Sequence, residues 1–344
     1  MIKNLIEIDG SYLEGGGQIL RTSCALAAVT HKTVKITSIR KGRPNPGLQV
    51  QHMAAIEALQ QLCSAKTTGL EKSSTELTFE PGEIKGGHID IEISTAGSVG
   101  LVLQGLMIAS LHAKNDVTIN INGGATNGKW AAPAYYIQQV MLPLLKNIGY
   151  KCDIFNIDKY GYYPKGGAKV HVEIIPSKLK PLHLIERGRL CGIQGISHAS
   201  LQLKNAMVAE RQAQAAEKML RNACDSVRIE PVYVDTLNIG SAVDLSAQYE
   251  NTFMGADALG ELKKKAENVG KEAAQQLLKQ ISSDGCVDEY AEDQLLPYMA
   301  LAEGTSILKV GHMTKHTQTN IWVIEKFLPV KFEVQDNLII CRKN

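Results

Sequence analysis

Three segments of the chain carry an apolar stripe with the spacing of an amphipathic helix. In each segment the apolar residues recur three or four positions apart, which places them on one face of a helix. The positions between them are mostly polar and fall on the other face. The chain therefore predicts three helices that each bury one face, with stripes formed by Met53, Ile56, Leu59 and Cys63, by Ile137, Met141, Leu144 and Ile148, and by Ile321, Ile324 and Leu328.

Each of these helices closes a longer segment in which the same order of elements recurs. An apolar helix comes first, then a short strand, a polar loop and the amphipathic helix, and the segments span residues 15–65, 99–149 and 292–329. The strands are apolar at alternate positions, as Val117 and Ile119 illustrate, which is typical of a half-buried sheet. A fixed order of elements that recurs along a chain indicates internal repeats.

A stretch with a different pattern separates the third segment from the second. It contains two amphipathic helices, at 201–223 and 260–281, with a strand and a part rich in glycine and serine between them. We therefore predict an α+β fold. A large domain of three repeated helix/β-sheet units, residues 1–184 and 280–344, would carry a small inserted α/β domain, residues 185–279.

The composition is that of an ordinary globular protein. Hydrophobic residues make up 44% of the 344 positions, charged residues 21%, and the net charge is +2. This balance excludes a protein that coats a polyanion but allows a local basic patch that binds a few phosphates. The seven cysteines form no C-x-x-C pair, so we expect neither a disulfide framework nor a zinc cage. Without a signal-like amino terminus or a spanning apolar stretch, we expect a cytoplasmic protein with no membrane partner.

The glycine-rich stretch SYLEGGGQILR, residues 11–21, is the first candidate site. Glycines let a ligand approach the backbone, and the helix that follows offers free N–H groups to an anion. Glu14 is a candidate metal contact, and Arg21 lies one turn into the helix. A tight turn without a ligand explains the same stretch equally well.

A basic loop, SIRKGRPNPGLQVQH at residues 38–52, is the second candidate. Arg40, Lys41 and Arg43 follow a strand, and two prolines stiffen the loop. Guanidinium groups suit phosphate oxygens because they bind them through paired hydrogen bonds. A solvated loop is the more common origin of such a charge run.

The segment from Gly123 to Lys129 nearly matches the phosphate-binding pattern G-x-x-x-x-G-K-[ST]. Trp130 stands where a hydroxyl must bind Mg²⁺, and Pro133 delays the helix. We therefore reject a nucleotide-hydrolase loop at this position.

Two histidines in GHMTKHTQTN, His312 and His316, have the spacing of metal ligands on one helix face. Met313 stands where the zinc-protease pattern requires a glutamate. The run TQTN is rich in residues that start helices, so we predict that the helix begins near His316 and that His312 lies in the loop before it. His316 would then stand alone at a helix amino terminus, with an ordinary surface histidine as the alternative.

Six motifs taken together resemble those of the RNA 3′-terminal phosphate cyclase family. They occur in order along essentially the whole chain: EGGGQILR, SIRKGRPNPGLQVQH, STAGSVGLVLQ, GYYPKGGAKV, DEYAEDQLLPYMALA and TKHTQTN. The resemblance implies three repeated helix–sheet units and a small inserted domain. It also implies a reaction that converts an RNA 3′-phosphate into a 2′,3′-cyclic phosphate, consumes ATP and releases AMP and pyrophosphate.

The resemblance also implies roles for individual residues. His316 corresponds to the nucleophile that becomes adenylylated, and Glu14 to the contact of a divalent cation, Mg²⁺ or Mn²⁺. Tyr290 offers an aromatic face to adenine, with Pro133 or Tyr136 as a candidate for the opposite face. The arginines that bind phosphate correspond to Arg21, Arg40 and Arg43, and the remaining ATP contacts to Gln104, Ala291, Glu292, Asp293 and Gln294.

The expected partners are RNA 3′-phosphate ends, and a homodimer is a further expectation. Two other functions stay open at the level of sequence. One is a cyclase-like ribosome-assembly factor without adenylylation, although such relatives lack the histidine that His316 provides. The other is an enolpyruvyl-type transferase, which has a similar repeated fold but needs neither His316 nor the run from Tyr290 to Gln294.

Overall fold

The computed structural model describes residues 5–13, 15–129 and 131–344 of the chain. Within these ranges, helices pack against four β-sheets of four strands each. The protein therefore has mixed α and β structure, in agreement with the predicted combination of helices and sheets. No helix in the described ranges combines the length and the apolar character that crossing a membrane requires.

The amino-terminal part of the chain forms the first sheet and two helices. Its elements are β1 (Leu5–Asp9), α1 (Gly17–Thr30), β2 (Thr33–Thr37), α2 (Val50–Cys63), β3 (Lys66–Thr68) and β4 (Leu77–Glu80). The strand order is β1-β2-β4-β3. Val34 and Ile36 of β2 are fully buried because alternate side chains of a strand face the helices on one side of the sheet.

The second sheet follows directly along the chain. Its elements are β5 (Gly87–Ser98), α3 (Val99–Ser110), β6 (Val117–Ala125), α4 (Ala134–Tyr136), a π-helical turn (Ile137–Met141), α5 (Leu142–Asn147), β7 (Lys151–Lys159) and β8 (Lys169–Ile175). The strand order is β5-β6-β8-β7. The closing helix predicted here is thus interrupted, because hydrogen bonds in the π-helical turn skip one residue more than in an α-helix.

The next stretch forms a sheet of its own. After β9 (His183–Leu184) come β10 (Leu190–Ser200), a 3₁₀ turn (Leu201–Ala206), α6 (Val208–Leu220), β11 (Val227–Val234), β12 (Ser241–Tyr249), β13 (Phe253–Leu259) and α7 (Ala266–Ile281). The strand order is β11-β10-β12-β13. The helix predicted over 201–223 begins later than expected, because Met207 takes a left-handed conformation with φ of 48° and separates the 3₁₀ turn from α6.

The carboxy-terminal part completes the fourth sheet. Its elements are α8 (Glu289–Leu301), β14 (Ser306–Lys309), α9 (Lys315–Phe327), β15 (Val330–Gln335) and β16 (Leu338–Lys343). The strand order is β15-β16-β14-β9, so β9 pairs with β14 across more than a hundred intervening residues. The first helix of this segment starts at Glu289, before the predicted residue 292, because Asp288 caps it.

Three of the four sheets share one pattern of strand directions. In each, the first strand lies at an edge and runs parallel to the second. The fourth strand pairs antiparallel with both the second and the third. The sheet of β10 to β13 departs from this pattern, because β10 runs parallel to β11 and antiparallel to β12 in its centre.

The buried apolar side chains form two clusters. The larger contains side chains from the three similar sheets and from the helices that they cover. The smaller contains Ile193, Leu220, Leu245 and Leu277 among others, between α6, α7 and the sheet of β10 to β13. Each cluster is thus enclosed by its own sheet and helices, as expected for a separate core.

Polar side chains join the sheet of β10 to β13 to the second sheet. His198 is fully buried, with Nε2 2.9 Å from a carboxylate oxygen of Asp244 and Nδ1 2.6 Å from the hydroxyl of Tyr162. Asn127 donates to the other oxygen of Asp244 at 2.7 Å. Buried polar groups are tolerated when they are hydrogen-bonded to one another. These hydrogen bonds therefore favour one orientation of the two sheets relative to each other.

We expect Gly270→Ala to destabilise the protein. A Cβ at this position of α7 would lie 2.1 Å from the backbone oxygen of Gln212 in α6. A backbone oxygen cannot move aside as a flexible side chain can, so we expect a loss near the upper part of the range of about 1–3 kcal/mol for overpacking. Urea unfolding measures it, and Lys271→Ala, on the exposed side of α7, is the matched control. A Gly270→Ala variant as stable as wild type would contradict this packing.

Candidate functional site

His316 lies in the first turn of α9, close to the starts of α1 and α8. α9 starts at Lys315, and the hydroxyl of its cap residue Thr314 accepts a hydrogen bond from the N–H of Thr317 at 3.0 Å. His312 lies in the loop after β14. The prediction that the two histidines do not share a helix face is therefore confirmed. In the described part of the chain, no group of three histidine, cysteine, aspartate or glutamate side chains could hold a metal ion.

Glu292 of α8 holds the start of α9 in place. Its carboxylate accepts a hydrogen bond from the N–H of Thr314 at 3.2 Å and another from the hydroxyl of Thr317. The side chain is buried, and burial raises its pKa while these hydrogen bonds lower it. The Glu292 carboxylate thus supports the start of α9, and the ATP contact predicted at this residue stays a prediction.

Gln18, at the start of α1, connects His316 to α8. Its Oε1 lies 2.7 Å from Nδ1 of His316, and its Nε2 donates to the Asp293 carboxylate and, at 3.3 Å, to the backbone oxygen of His316. The sequence interpretation missed Gln18, although it is a lone amide in an otherwise apolar first turn. The one signal in the sequence is that Gln18 is a polar residue among the apolar residues of this turn, which could have indicated a role for its side chain.

Asn320 ties the same three helices together one turn further on. Its Nδ2 donates to the backbone oxygen of Asp293 at 2.8 Å, and its Oδ1 accepts from the hydroxyl of Thr22 at 2.9 Å. Both side chains are buried. α1, α8 and α9 are therefore linked by two successive layers of buried hydrogen bonds.

Burial and charge act against each other at Asp293 and Arg21. Burial raises the pKa of Asp293 to about 7, although the charge of Arg21 lowers it. Burial also lowers the pKa of Arg21 to about 10, although Asp293 raises it. The Nε of Arg21 donates to Oε1 of Gln104 at 3.0 Å. Of the predicted site residues, Arg21, Gln104, Asp293 and His316 are thus brought into one cluster.

His52 is a second residue that the sequence interpretation missed. Its Nδ1 accepts from the N–H of Gln49 at 3.1 Å, which caps the start of α2. Burial, followed by the charges of Arg21 and Arg40, lowers the pKa of His52 to about 3, so the ring is neutral. A Cβ at Gly17 would lie 2.4 Å from Nε2 of this ring. A glycine at position 17 therefore lets the starts of α1 and α2 approach each other.

The basic loop between β2 and α2 holds its own shape through Arg40. The guanidinium donates to the backbone oxygens of Asn45 and, at 3.0 Å, of Gly47. Burial and the nearby charge of Arg43 both lower the pKa of Arg40. The two arginines are half-buried, and the charges of Arg40 and Arg21 both act on the ring of His52.

Tyr290 stands at the start of α8, on the side of the cluster next to β13. Its ring meets that of Tyr136 edge-on, with centroids 5.6 Å apart and an interplanar angle of 78°. The Tyr136 hydroxyl donates to Asp288 at 2.7 Å, and Asp288 also accepts the N–H groups of Tyr290, Ala291 and Gly255. Tyr136 is buried, so it supports Tyr290 and cannot form the opposite face of a base stacked on it.

The remaining predicted site residues are Ala291, Pro133, Gln294 and Glu14. Ala291 is fully buried and packs in the core, and the ATP contact predicted at this residue stays a prediction. Pro133 is buried before α4, and Gln294 is half-buried on α8. The prediction for Glu14 lies outside the described residues.

Lys129, the lysine of the rejected phosphate-binding pattern, forms an exposed ion pair with Glu261 at 2.9 Å. Its ammonium group therefore lies against a carboxylate on the surface of the molecule. This placement agrees with the rejection of a nucleotide-hydrolase loop at Gly123 to Lys129.

The cluster combines an imidazole with fixed positive charge. Arg21, Arg40 and Arg43 lie near the starts of α1 and α2, where helix N–H groups also favour anions. An imidazole nitrogen is nucleophilic near neutral pH without first losing a proton to a base. The arrangement suits nucleophilic attack on a phosphate, whose spread negative charge the arginines would offset.

Comparison with known proteins gives consistent results. Residues 12–334 match the family described as RNA 3′-terminal phosphate cyclase. A protein of that name from Methanosarcina acetivorans is 44% identical, over 96% of this chain and 97% of its own. Another from Pyrococcus furiosus is 45% identical, over 96% of this chain and 95% of its own. A solved enolpyruvyl transferase from Streptomyces tendae covers 99% of this chain and 48% of its own, but the identity of 10% and TM-score of 0.42 support no argument.

We expect the stability of the protein to depend on pH through Asp293. Burial raises the pKa of its carboxyl group to about 7, from an ordinary value of 3.8. Between these values the folded state binds more protons than the unfolded state, so this contribution to stability falls as pH rises. Asn at position 293 has the same shape and does not titrate.

Urea unfolding of wild type and Asp293→Asn across this pH range measures the effect. The unfolding free energy of wild type should decline relative to that of the variant as pH rises. Parallel curves for the two proteins would contradict the raised pKa of Asp293.

Proposed function

Because the chain belongs to the RNA 3′-terminal phosphate cyclase family, we propose that it adenylylates itself on His316 and uses this AMP to cyclise RNA 3′-phosphate ends. The observation that carries the proposal is the placement of His316 beside Gln18, Asp293 and Arg21 in a chain of this family. The product is a 2′,3′-cyclic phosphodiester, and the by-products are AMP and pyrophosphate.

In the first step a nitrogen of His316 attacks the α-phosphorus of ATP. A P–N bond forms while the bond from the α-phosphorus to the pyrophosphate oxygen breaks, so pyrophosphate leaves with the electron pair. Arg21, Arg40 and Arg43 are the cations that we propose to bind the phosphates. Arginines held by burial and by backbone oxygens need little rearrangement to do so.

In the second step an oxygen of the RNA 3′-phosphate attacks the phosphorus of the histidine–AMP. The P–N bond breaks, the imidazole regains its electron pair, and a phosphoanhydride joins RNA and AMP. In the third step the ribose O2′ attacks the 3′-phosphorus and loses its proton, while AMP leaves. Ring closure is favoured because the two reacting groups belong to the same nucleotide.

We propose that adenine stacks on Tyr290, whose ring is half-exposed. Pro133 is the remaining candidate for the opposite face, since Tyr136 meets Tyr290 edge-on. Gln104, Asp293 and Gln294 remain the proposed polar contacts of the nucleotide. Gln104 already accepts from Arg21, so it would orient the guanidinium as well.

A divalent cation, Mg²⁺ or Mn²⁺, is part of the proposal through Glu14. A single carboxylate with phosphate oxygens and water is a common way for proteins to bind Mg²⁺. The ion would supply charge neutralisation at the phosphates.

Two structural proposals go with this function. We propose that the three similar sheets and their helices are repeats of one unit, which their common strand order supports. We also propose that residues 185–279 are a domain inserted into the host of residues 1–184 and 280–344. The separate cluster of buried side chains in that stretch supports the division.

The location and the partners of the enzyme are a further part of the proposal. We propose a cytoplasmic location, supported by the odd number of cysteines, and RNA 3′-phosphate ends as partners, supported by the family. A homodimer is an additional proposal, and the molar mass in solution tests it.

The alternative functions are disfavoured by specific observations. A non-catalytic ribosome-assembly factor would not need the histidine, yet His316 is present with its hydrogen-bond partner Gln18. An enolpyruvyl-type transferase is disfavoured because the protein that is 44% identical to this chain carries the name RNA 3′-terminal phosphate cyclase.

Covalent labelling tests the proposed nucleophile. Wild type mixed with Mg²⁺ and ATP labelled at the α-phosphate should retain label after denaturation, and His316→Ala should lose essentially all of it. His312→Ala is the matched control, because its imidazole lies in the loop outside α9. A His316→Ala protein that labels as well as wild type would show that His316 is not the nucleophile.

A second assay tests the overall reaction. An RNA with a 3′-phosphate should become resistant to phosphatase only when both enzyme and ATP are present, since a cyclic diester has no terminal phosphate to remove. An RNA with a 2′-deoxy terminal nucleotide is the control, because without the attacking hydroxyl it should stop at the phosphoanhydride and keep AMP attached to its end. The RNA with a ribose end should release AMP, and retention of AMP by both RNAs would rule out cyclisation.

A further inference from the structure

Gln18 has no role in the proposed reaction so far, yet its buried side chain contacts the imidazole of His316. We propose that Gln18, oriented by Asp293, holds the neutral His316 ring with its proton on Nδ1, so that Nε2 is the attacking atom. Gln18 is thus a positioning residue. The proposal rests on the role of His316 as nucleophile, and its first test is independent of that role.

The orientation of the Gln18 amide follows from its surroundings. One end of the amide faces two acceptors, a carboxylate oxygen of Asp293 and the backbone oxygen of His316. Only an NH₂ group can donate to both, because an amide oxygen there would face two other oxygens. The NH₂ group must therefore occupy this end, and the oxygen must occupy the other.

The tautomer of His316 follows from the orientation of the amide. Oε1 of Gln18 lies 2.7 Å from Nδ1 of the ring, a hydrogen-bond distance. An amide oxygen only accepts, so Nδ1 must carry a proton. A neutral imidazole has one proton, and the lone pair of the ring is then on Nε2.

The neighbouring helices prevent the amide from turning over. Gln18 is 4% exposed, so its side chain has little room to rotate. The backbone of Asp293 is held by Asn320, which is itself bonded to Thr22 of α1. Turning the amide would break its hydrogen bonds to Asp293 and His316 in a partly buried place, where unpaired polar groups are costly.

This tautomer has a consequence for both transfers of AMP. When Nε2 bonds to the α-phosphorus and pyrophosphate leaves, the proton on Nδ1 stays in its hydrogen bond to Gln18. The product is a phosphorylated ring with a positive charge, which Oε1 of Gln18 stabilises. When the RNA phosphate attacks, the P–N bond breaks and the ring returns to the neutral Nδ1–H form. No proton has to enter or leave the ring in either step.

Nitrogen NMR of the free enzyme tests the tautomer directly. Histidine labelled with ¹⁵N shows which ring nitrogen is protonated, and the signal of His316 is identified by its loss in His316→Ala. At alkaline pH, where the ring is neutral, we expect Nδ1–H in wild type. Gln18→Met, which has a similar size but no acceptor, should shift His316 towards the Nε2–H form. Gln318→Ala, an exposed glutamine two residues from His316 in α9, should leave the signal unchanged.

A double variant provides the rescue. In Gln18→Glu with Asp293→Asn, the carboxylate at position 18 accepts from Nδ1–H of His316 and from the amide at position 293. Donor and acceptor are thus exchanged between positions 18 and 293, and the total charge is kept. We expect the Nδ1–H signal to return. Covalent AMP formation at saturating ATP should fall at least about tenfold in Gln18→Met, because a wrong tautomer disables a catalytic histidine, and should recover in part in the double variant.

The outcomes separate this proposal from the proposed function. If Gln18→Met retains the Nδ1–H signal of wild type, or if wild type shows Nε2–H, the positioning role of Gln18 is wrong even when His316 is adenylylated. If neither wild type nor any variant is labelled with AMP but the NMR result is as expected, the proposed function is wrong and the tautomer assignment stands. A folded Gln18→Met protein with the shifted tautomer but a full rate of AMP transfer also overturns the positioning role.

Discussion

The side-chain amide of Gln18 joins α8 and α9 to the start of α1, and the geometry of the candidate site depends on this contact. Gln18 and His316 lie 298 positions apart along the chain, yet their side chains meet at 2.7 Å. The amide accepts from one helix and donates to the other, so a displacement of either helix would break it. Hydrogen bonds in a buried environment are strong when complete and costly when broken.

The same burial sets the charge states around His316. Removal from water disfavours the charged form of every group, but the neighbours of each group decide the result. Arg21 and Asp293 attract each other, and Arg21 stays a cation with its pKa at about 10. At His52 the positive charges of Arg21 and Arg40 add to burial and keep the ring neutral. The site therefore combines fixed positive charge with uncharged rings, an arrangement that suits an anionic substrate.

The stretch between β9 and α8 also contributes to the site. The N–H of Gly255 in β13 donates to Asp288, and Asp288 caps the helix that begins with Glu289 and Tyr290. Tyr136 adds its hydroxyl to the same carboxylate. Because Asp288 is shared by three parts of the chain, the position of the Tyr290 ring depends on how the sheet of β10 to β13 packs against the second sheet.

Local sequence determined much of this protein. The periodicity of apolar residues predicted the helices that close the three segments, and the run TQTN predicted that α9 begins next to His316 and leaves His312 in a loop. Such features depend on neighbours a few positions away, through capping and side-chain spacing. The interruption at Met207 and the π-helical turn were missed, because departures of this kind have weak local signals.

Tertiary structure decided which polar residues meet. Gln18 and His52 look like ordinary interior polar residues in the sequence, and Glu292 like one more residue of an acidic motif. Their partners come from other helices, so no pattern of spacing records them. The sequence by itself determined that α9 begins next to His316 and which face each closing helix buries, because these depend on local capping and periodicity. Only the packing of α1, α8 and α9 decided that Gln18 contacts His316 and that Glu292 supports the start of α9, because buried polar groups must find partners wherever the fold brings them.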